Sequence, residues 1–522
     1  MPKTITQGKD ARDRVKAGVH KAAMAVAPTL GAVGMTALIE WTGLDPVLAD
    51  DGITILRNLD FSDPHENMGL QLLKKGGMRS STEGGDGTAT TTVLTDAMVE
   101  ATFAEVGEDS HKIREVKQRL DLGLQETLRH LDAMTVAVKD EDLERIAEVS
   151  SLDPEVAKLV AEAIRTVGAT GAITVERGAK LGYSVETVKG MRFERGLISP
   201  YFINDPENTQ TVLEDAYIVL VDRTMSLNEH IIPILSDIGV GNHVLFVATD
   251  VQGMALASLA KNAAQGIAQI AAVQNPFNAT PGRDFLFDLA ALTGATVVSE
   301  EKGMRLEDMK KDACGRATKV IVTRDRTTII GGKGDPSVRV AELTKKMEDT
   351  TSPFAKGELK DRIAALTGGI GVIRVGTYTD TEYNAKKYKF DNAVASTQAA
   401  VQEGILPGGG IALATAAIMA KDPIFQVALL SPLSQMATNA GMDPLEVLKV
   451  LTDRQPLKRV DSNALAFFGY DFRTGEVVDM EQAGIVDPRK VVRTALESAV
   501  AMTKQLVGFE TAITVEKDEQ PA

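Results

Sequence analysis

The sequence predicts an α/β protein of several domains, with mainly helical ends enclosing an α/β centre. The chain has 522 residues, of which 44% are hydrophobic. One hydrophobic core rarely serves that length, so two to four domains are expected. Near both ends the apolar residues recur every three or four positions, the period of a helix with one buried face. Between about 189 and 365 the pattern changes to β-rich runs alternating with helical stretches.

Val15, Val19, Ala22 and Val26 share one helical face, and Pro28 stops the run. The stretches 93–106 and 113–134 repeat this spacing, and 395–420 continues it around its glycines. In the centre, 216–221 (AYIVLV) and 243–248 (HVLFVA) read as strands, with helical patterns at 227–238 and 251–266. If both ends form one domain with the centre inserted, connections must cross at roughly 133–188 and 366–402. Gly190, Gly368 and Gly369 lie there either as hinges or as ordinary turn residues, because glycine is the default where φ must be positive. The tail 516–522 is too hydrophilic to bury anything and predicts disorder.

Composition excludes several classes of function. Net charge is -15, from 57 basic and 72 acidic residues, and no block of like charge forms a basic arm, so nucleic acid is not an expected partner. The polar stretch Met1 to Arg12 lacks a signal-peptide core, and no apolar run approaches the roughly 18 residues of a membrane span; cytoplasmic residence without a membrane partner is expected. Cys314 is the only cysteine, which rules out an internal disulfide. The histidines at 20, 65, 111, 130, 230 and 243 show no paired ligand spacing, which argues against structural zinc. Aromatics are 4% of the chain and Trp41 stands alone, while Ala, Val, Leu and Gly suit close-packed helices and α/β layers.

The stretch Gly84 to Thr92 (GGDGTATTT), followed by a helical run, carries the most chemistry. Glycines let backbone N–H groups approach phosphates, hydroxyls donate, and a helix N-terminus favours anions. Asp86 stands where a magnesium ligand belongs, and one carboxylate with phosphate oxygens suits Mg-nucleotide better than a metal cage. A helix merely capped by threonine hydroxyls fits the same residues. Gly408 to Gly410 also open an apolar helical run, and the turn Thr29 to Gly34 follows the first helix, so a pocket assembled from distant loops is expected. The glycines at 331–334 lack the rest of a Walker sequence, and no dinucleotide fingerprint follows a strand. Asp51-Gly52 reads as a tight turn that either presents a carboxylate to an attacking water or serves only as a turn.

From about residue 8 to 515 these segments, in this order, resemble the group I chaperonins, the family of bacterial GroEL. The most specific pieces are Thr29 to Gly31, Asp51-Gly52, 66–69 (ENMG), 85–88 (GDGT), 195–204 (RGLISPYFIN), 399–410 (AAVQEGILPGGG) and 484–488 (GIVDP). The resemblance implies an equatorial ATP-binding domain (1–132 and 403–522), a small α/β intermediate domain (133–188 and 370–402) and an α/β apical domain (189–369). It further implies ATP and Mg2+ as cofactors. Thr29, Leu30 and Gly31 resemble phosphate-side contacts, Asp86 the metal ligand, and Gly87, Thr88, Ala89 and Thr90 the phosphate loop. Gly409, Asp471 and Asp487 fall at nucleoside contacts, and Asp51 matches the aspartate that positions the attacking water. Leu197, Tyr201, Phe202, Ile232, Leu235, Leu256 and Ala260 match the apolar rim that holds unfolded proteins. The residue pattern alone reads Ile232, Leu235 and Leu256 as core.

Departures from the family pattern refine these expectations. Where the family delivers a second catalytic aspartate, this chain has Asn392, with Asp391 one position early. An amide orients water but accepts no proton, and on a helix Asp391 would point about 100° away, so slowed turnover is expected. Asp471 replaces an asparagine, Ala89, Ala32 and Val33 replace more usual residues, and the loop after Val149 is shortened. Lys261 puts a charge where a lid co-chaperonin docks, leaving lid dependence open. The family forms heptameric rings, commonly stacked. Here Ser434 replaces the ring-ring arginine, Asp443 keeps its acidic partner, and Leu445 and Glu446 alter the contact, so single or weakly stacked rings are expected. Such divergence, with the charged tail in place of Gly-Gly-Met repeats, points to a specialised or phage-encoded copy. The leading expectation is an ATP-driven folding chaperonin, the alternative a nucleotide-gated holdase or scaffold with little turnover. An unrelated α/β phosphotransferase would leave 199–202 and 399–410 without a reason.

Overall fold

The computed structural model describes residues 3–40, 47–107, 109, 111–168, 171–178, 180–206, 209–299, 303–350, 352–453 and 467–515. Trp41 and the tail 516–522 lie outside them. The chain divides into two compact units, one made of 1–161 with 388–522 and the other of 162–387.

The first unit opens with β1 (Lys3–Gln7) and α1 (Gly8–Val26), whose Val15, Val19, Ala22 and Val26 are all buried, as the spacing predicts. The short strands β2 (Ala37–Ile39) and β3 (Val47–Ala49) follow, then α2 (Gly52–Asn58), α3 (Pro64–Arg79), α4 (Thr88–Val106) and α5 (Lys112–Met134). Asp63 caps α3 by accepting from His65 N at 2.8 Å, with Pro64 pre-set for the first turn. The helices α6 (Leu143–Ser151) and α7 (Pro154–Val167) lead toward the second unit, the boundary falling within α7.

The second unit holds β4 (Ala172–Arg177), β5 (Gly182–Val188), β6 (Gly190–Phe193), β7 (Thr211–Met225), α8 (Ile232–Ile238), β8 (His243–Val251), α9 (Gly253–Ala264), β9 (Gln269–Gln274), α10 (Ala279–Thr293) and β10 (Val297–Val298). It continues with β11 (Gly315–Val322), β12 (Thr327–Gly332), α11 (Ser337–Asp349), α12 (Pro353–Thr367) and β13 (Ile370–Gly376). Seven strands form one sheet in the order β6-β12-β11-β7-β8-β9, with β10 also paired to β7. The strands β7, β8 and β9 run parallel, and both faces are covered. Strand alternation assigns Ile218, Leu220, Leu245 and Val247 to a core with Leu286 and Leu289 of α10. Val219, Val221, Val244 and Phe246 take the opposite core, with Ile234 of α8 and Leu259 of α9. A smaller mixed sheet has the order β4-β13-β5.

The chain re-enters the first unit along α13 (Asp380–Glu403), then forms β14 (Ile405–Pro407), α14 (Ile411–Met419), α15 (Pro423–Ala428), α16 (Ser431–Asn439) and α17 (Pro444–Asp453). The stretch 395–420 is thus two helices split by a strand, because Gly404 and Gly408 to Gly410 interrupt the helical backbone and Pro407 lacks its N–H. The hairpin β15 (Phe468–Asp471) and β16 (Glu476–Asp479), β17 (Val486–Pro488), α18 (Arg489–Val507) and β18 (Thr511–Val515) finish the described chain. β18 pairs with β1, so both ends of the sequence share one ribbon.

Candidate functional site

A tight backbone passage lies between α3 and α4. Gly85 (φ 86°) and Gly87 (φ 90°) adopt left-handed backbone, and neither could carry a side chain. A Cβ on Gly85 would lie 2.6 Å from Cβ of Ala395 on α13, and one on Gly87 would lie 2.7 Å from Cγ1 of Val491 on α18. Ser80 Oγ donates to the carbonyl of Asp86 (3.1 Å), and Gly87 N donates to the Asp86 carboxylate (2.5 Å). The first α4 bond runs from Thr91 N to Gly87 O (2.8 Å), so the amides of Thr88, Ala89 and Thr90 precede the helical ladder. Nineteen residues of aligned peptide dipoles stand behind these amides, and such an end favours an anion. The Thr88 hydroxyl itself is buried and turned to Gly77 O (3.4 Å).

Asp51 is not at a simple turn. It caps α2, its carboxylate accepting from Ile53 N and Thr54 N (both 3.2 Å) and from Thr54 Oγ1 (2.9 Å). The sequence hid this because α2 is only seven residues long and shows little periodicity. Gly52 packs so closely that a Cβ there would lie 3.0 Å from Val26, 3.3 Å from Thr88 and 3.4 Å from Ala89 N. Asp51 is thereby set beside the start of α4 and the end of α1.

The turn at Thr29 to Gly31 is fixed from a distant helix. Asn439 of α16 donates to the carbonyls of Ala27 (2.9 Å) and Leu30 (2.8 Å), while Thr29 Oγ1 donates to Val26 O (2.8 Å). Met436, one turn earlier, serves two loops: Cβ atoms added to Gly31 and Gly410 would lie 2.7 and 2.9 Å from its side chain. Sequence reading missed both residues, since a lone Met and Asn on an ordinary helix carry no motif. Gly409 lies against the β15–β16 hairpin near Tyr470 O. Asp471, at the end of β15, accepts from Arg473 N (3.0 Å). Asp487 stands on β17 opposite Leu406 of β14.

Asp86 lies within reach of the charge of Asp51, and Asp487 within reach of that of Asp86. Crowding by protein raises the Asp86 pKa first, and the charge of Asp51 adds to it. Burial, then the charge of Asp86, pushes the Asp487 carboxyl up to about 7. Asp86 nevertheless remains exposed and Asp487 half-buried, so both carboxyls meet solvent. Among the described residues no group of three or more metal-ligating side chains converges. A divalent cation would relieve the repulsion while completing its shell with oxygens the protein does not supply, as in a metal–phosphate complex, so the residues present fit Mg2+ carried with a nucleotide. Asp391 and Asn392 lie half-buried on α13, one turn before the Ala395 that touches Gly85.

In the second unit the predicted rim residues separate. Tyr201 (66% exposed) and Ile232 (54%) face solvent. Ile232 therefore escapes the core reading its spacing suggested. Leu197, Leu235 and Leu256 are half-buried. Phe202 (2%) and Ala260 (8%) belong to the core instead, packed with Val219, Phe246 and Leu259, because the sheet face beneath them must be covered. Leu227 and Met254 are exposed apolar residues that the sequence reading did not single out.

A glycine-lined helix end beside carboxylates, with a separate sheet unit that exposes apolar side chains, suits an anion-binding protein of two compact units. The profile of the TCP-1/cpn60 chaperonin family matches residues 23–517, and the chain belongs to that family. Its fold is similar to the crystal structure of the chaperonin gp146 from the bacteriophage EL 2 (Pseudomonas aeruginosa), determined in the presence of ATP-BeFx. That likeness has a TM-score of 0.67 at 21% identity and covers 98% of this chain and 99% of the other. The family and the α/β fold expected from the motifs are thus both met. Among the described residues no helix is long and apolar enough to cross a membrane.

Proposed function

We propose that this chaperonin is an ATPase that captures unfolded proteins on an apolar apical rim and promotes their folding in a ring cavity, its cycle driven by ATP and Mg2+. The observation that carries the reading is that the first α4 amides, Asp51, Asp86 and Asp487 gather around one glycine-lined passage. There the α4 amides and Asp86 would hold the phosphates and their cation, and Gly409, Asp471 and Asp487 would contact the nucleoside. Bound Mg2+ would supply charge neutralisation at the phosphates. Asp51, its carboxylate fixed by the α2 amides, orients a water for attack on the terminal phosphate. Asn392 helps orient that water without accepting its proton, which slows turnover.

The proposed division of labour assigns 1–132 and 403–522 to nucleotide binding, 133–188 and 370–402 to the link, and 189–369 to clients. Tyr201, Ile232, Leu227 and Met254 support client capture, because exposed apolar side chains in proximity mark interaction surfaces. Self-assembly is supported by two narrow ribbons, β1–β18 and β2–β3, which expose Ile5, Ile513, Leu38 and Leu48. We propose heptameric rings, single or weakly stacked, since Ser434 supplies no cation and Leu445 is 74% exposed. The site of action is cytoplasmic, and exposed Lys261 puts a charge where a lid partner would dock, leaving lid dependence open.

Phosphate release from ATP tests the reading. Asp51→Asn keeps an N-cap but removes the carboxylate, so turnover should fall about 10²- to 10⁴-fold with nucleotide binding retained. Asn392→Asp should raise turnover. A wild type that binds ATP without releasing phosphate would establish the holdase alternative, which Asn392 favours; one that binds no nucleotide would overturn both.

A further inference from the structure

A continuous run of ion pairs lies beside the phosphate passage, joining Asp132, Arg489, Glu403, Arg493, Glu497, Arg79 and Glu83. Arg79, the last residue of α3, donates through Nε to both oxygens of Glu83 (3.0 and 3.1 Å) and through Nη2 to Glu497 of α18 (3.3 Å). Glu497 also accepts from Arg493 Nη1 (3.0 Å). Arg493 makes a two-pronged pair with Glu403, the last residue of α13 (3.0 and 2.7 Å). Glu403 is shared with Arg489 at the start of α18, and Arg489 reaches Asp132 of α5. Signs alternate throughout, so each guanidinium sits between two carboxylates. The middle is shielded, with Glu403 24% and Arg493 23% exposed, whereas Glu83 is 51% exposed. Burial opposes the charge on Glu403, yet the two arginines hold its carboxyl below the usual range.

The run meets the proposed nucleotide site at three places. Arg79 precedes, and Glu83 lies within, the π-helical turn Ser80–Gly84 that feeds Gly85 and Gly87. Arg489 follows Asp487 by two residues. Glu403 ends the helix that carries Asn392 and presses Ala395 against Gly85. The Arg79–Glu83 pair itself lies at the surface, with side chains 41% and 51% exposed. Its geometric effect is to tie the turn to α18 and, through Glu403, to α13.

We propose that this ionic run is a positioning device for the nucleotide site, setting the phosphate passage against α13 so that a change in the seating of α13 reaches the loop. The inference rests on the nucleotide reading above. It assigns Arg79 and Glu497 as positioning residues that act through the backbone of 80–87 without touching nucleotide.

The test measures MgATP affinity by calorimetry, with steady-state kcat and KM, on full-length assembled protein. Arg79→Gln and Glu497→Gln should each weaken MgATP binding about three- to tenfold and raise KM with kcat little changed, while Arg79→Lys restores most of the affinity. The melting temperature without nucleotide should stay near wild type for Arg79→Gln, and raising salt should weaken binding more in wild type than in that variant. Wild type that binds MgATP alongside Arg79→Gln and Glu497→Gln variants of equal affinity and equal salt dependence overturns the relay alone. Absence of MgATP binding in wild type overturns the nucleotide reading and the relay with it.

Discussion

At 84–92 the backbone has almost no freedom: Gly85 and Gly87 touch Ala395 and Val491, and Asp86 is held by the amide of Gly87. At 199–202 in the second unit, adjacent residues have opposite fates, Tyr201 standing 66% exposed and Phe202 buried at 2%. The first region is specific because side chains are excluded and donors are fixed. The second gains its character from which apolar groups the sheet leaves uncovered. A passage of the first kind is altered by one methyl group, whereas an apolar face of the second kind tolerates change residue by residue.

The largest expected effect separates Tyr201 from its neighbour. Phe202→Ala should cost about 3–5 kcal/mol of stability by opening a cavity, whereas Tyr201→Ser should stay within about 0.5 kcal/mol yet weaken capture of unfolded protein. Denaturant melts beside a light-scattering aggregation assay would show this; equal destabilisation would erase the distinction between core and face. Next in size, Gly85→Ala should destabilise by about 1–3 kcal/mol, since both backbone strain and contact with Ala395 oppose it. Nucleotide binding should suffer more than the melting temperature, and an unchanged affinity would mean the passage is less rigid than its packing.

A smaller, pH-dependent effect should come from Asp487. Its folded-state carboxyl, at about 7, lies above the value of about 3.9 for an exposed aspartate, so the folded chain holds this proton more tightly. The contribution to stability is therefore full below about pH 4 and is lost as pH rises through about 7. Nucleotide-free protein should lose stability over that window, and Asp487→Asn should flatten that part of the profile. Thermal melts across pH provide the check, and identical profiles for variant and wild type would separate Asp487 from the carboxylate cluster.

Much of this was legible in the sequence because short-range rules govern it. The period of Val15, Val19, Ala22 and Val26 announced α1, and AYIVLV announced a strand, which the structure buries on both faces. The glycine-rich loops and Asp86 were visible because few other residues can make such a passage. Asp51 as a helix cap was less visible, since α2 is too short to show a period. Asn439 and Met436 were invisible: each is ordinary on its own helix and acquires a role only by reaching a loop some 400 residues away in sequence, as Asn439 does to Ala27.

The sequence by itself determined the family, the helical ends with their α/β centre, and the residue types able to meet phosphate, because backbone geometry and hydrophobic period are local properties. Tertiary structure alone decided that Phe202 turns inward while Tyr201 does not, that Asp51, Asp86 and Asp487 share one field, and that the charges from Asp132 to Glu83 join in one run. Burial and Coulomb interaction depend on distances between segments far apart in the chain, and those distances exist only once the layers have packed.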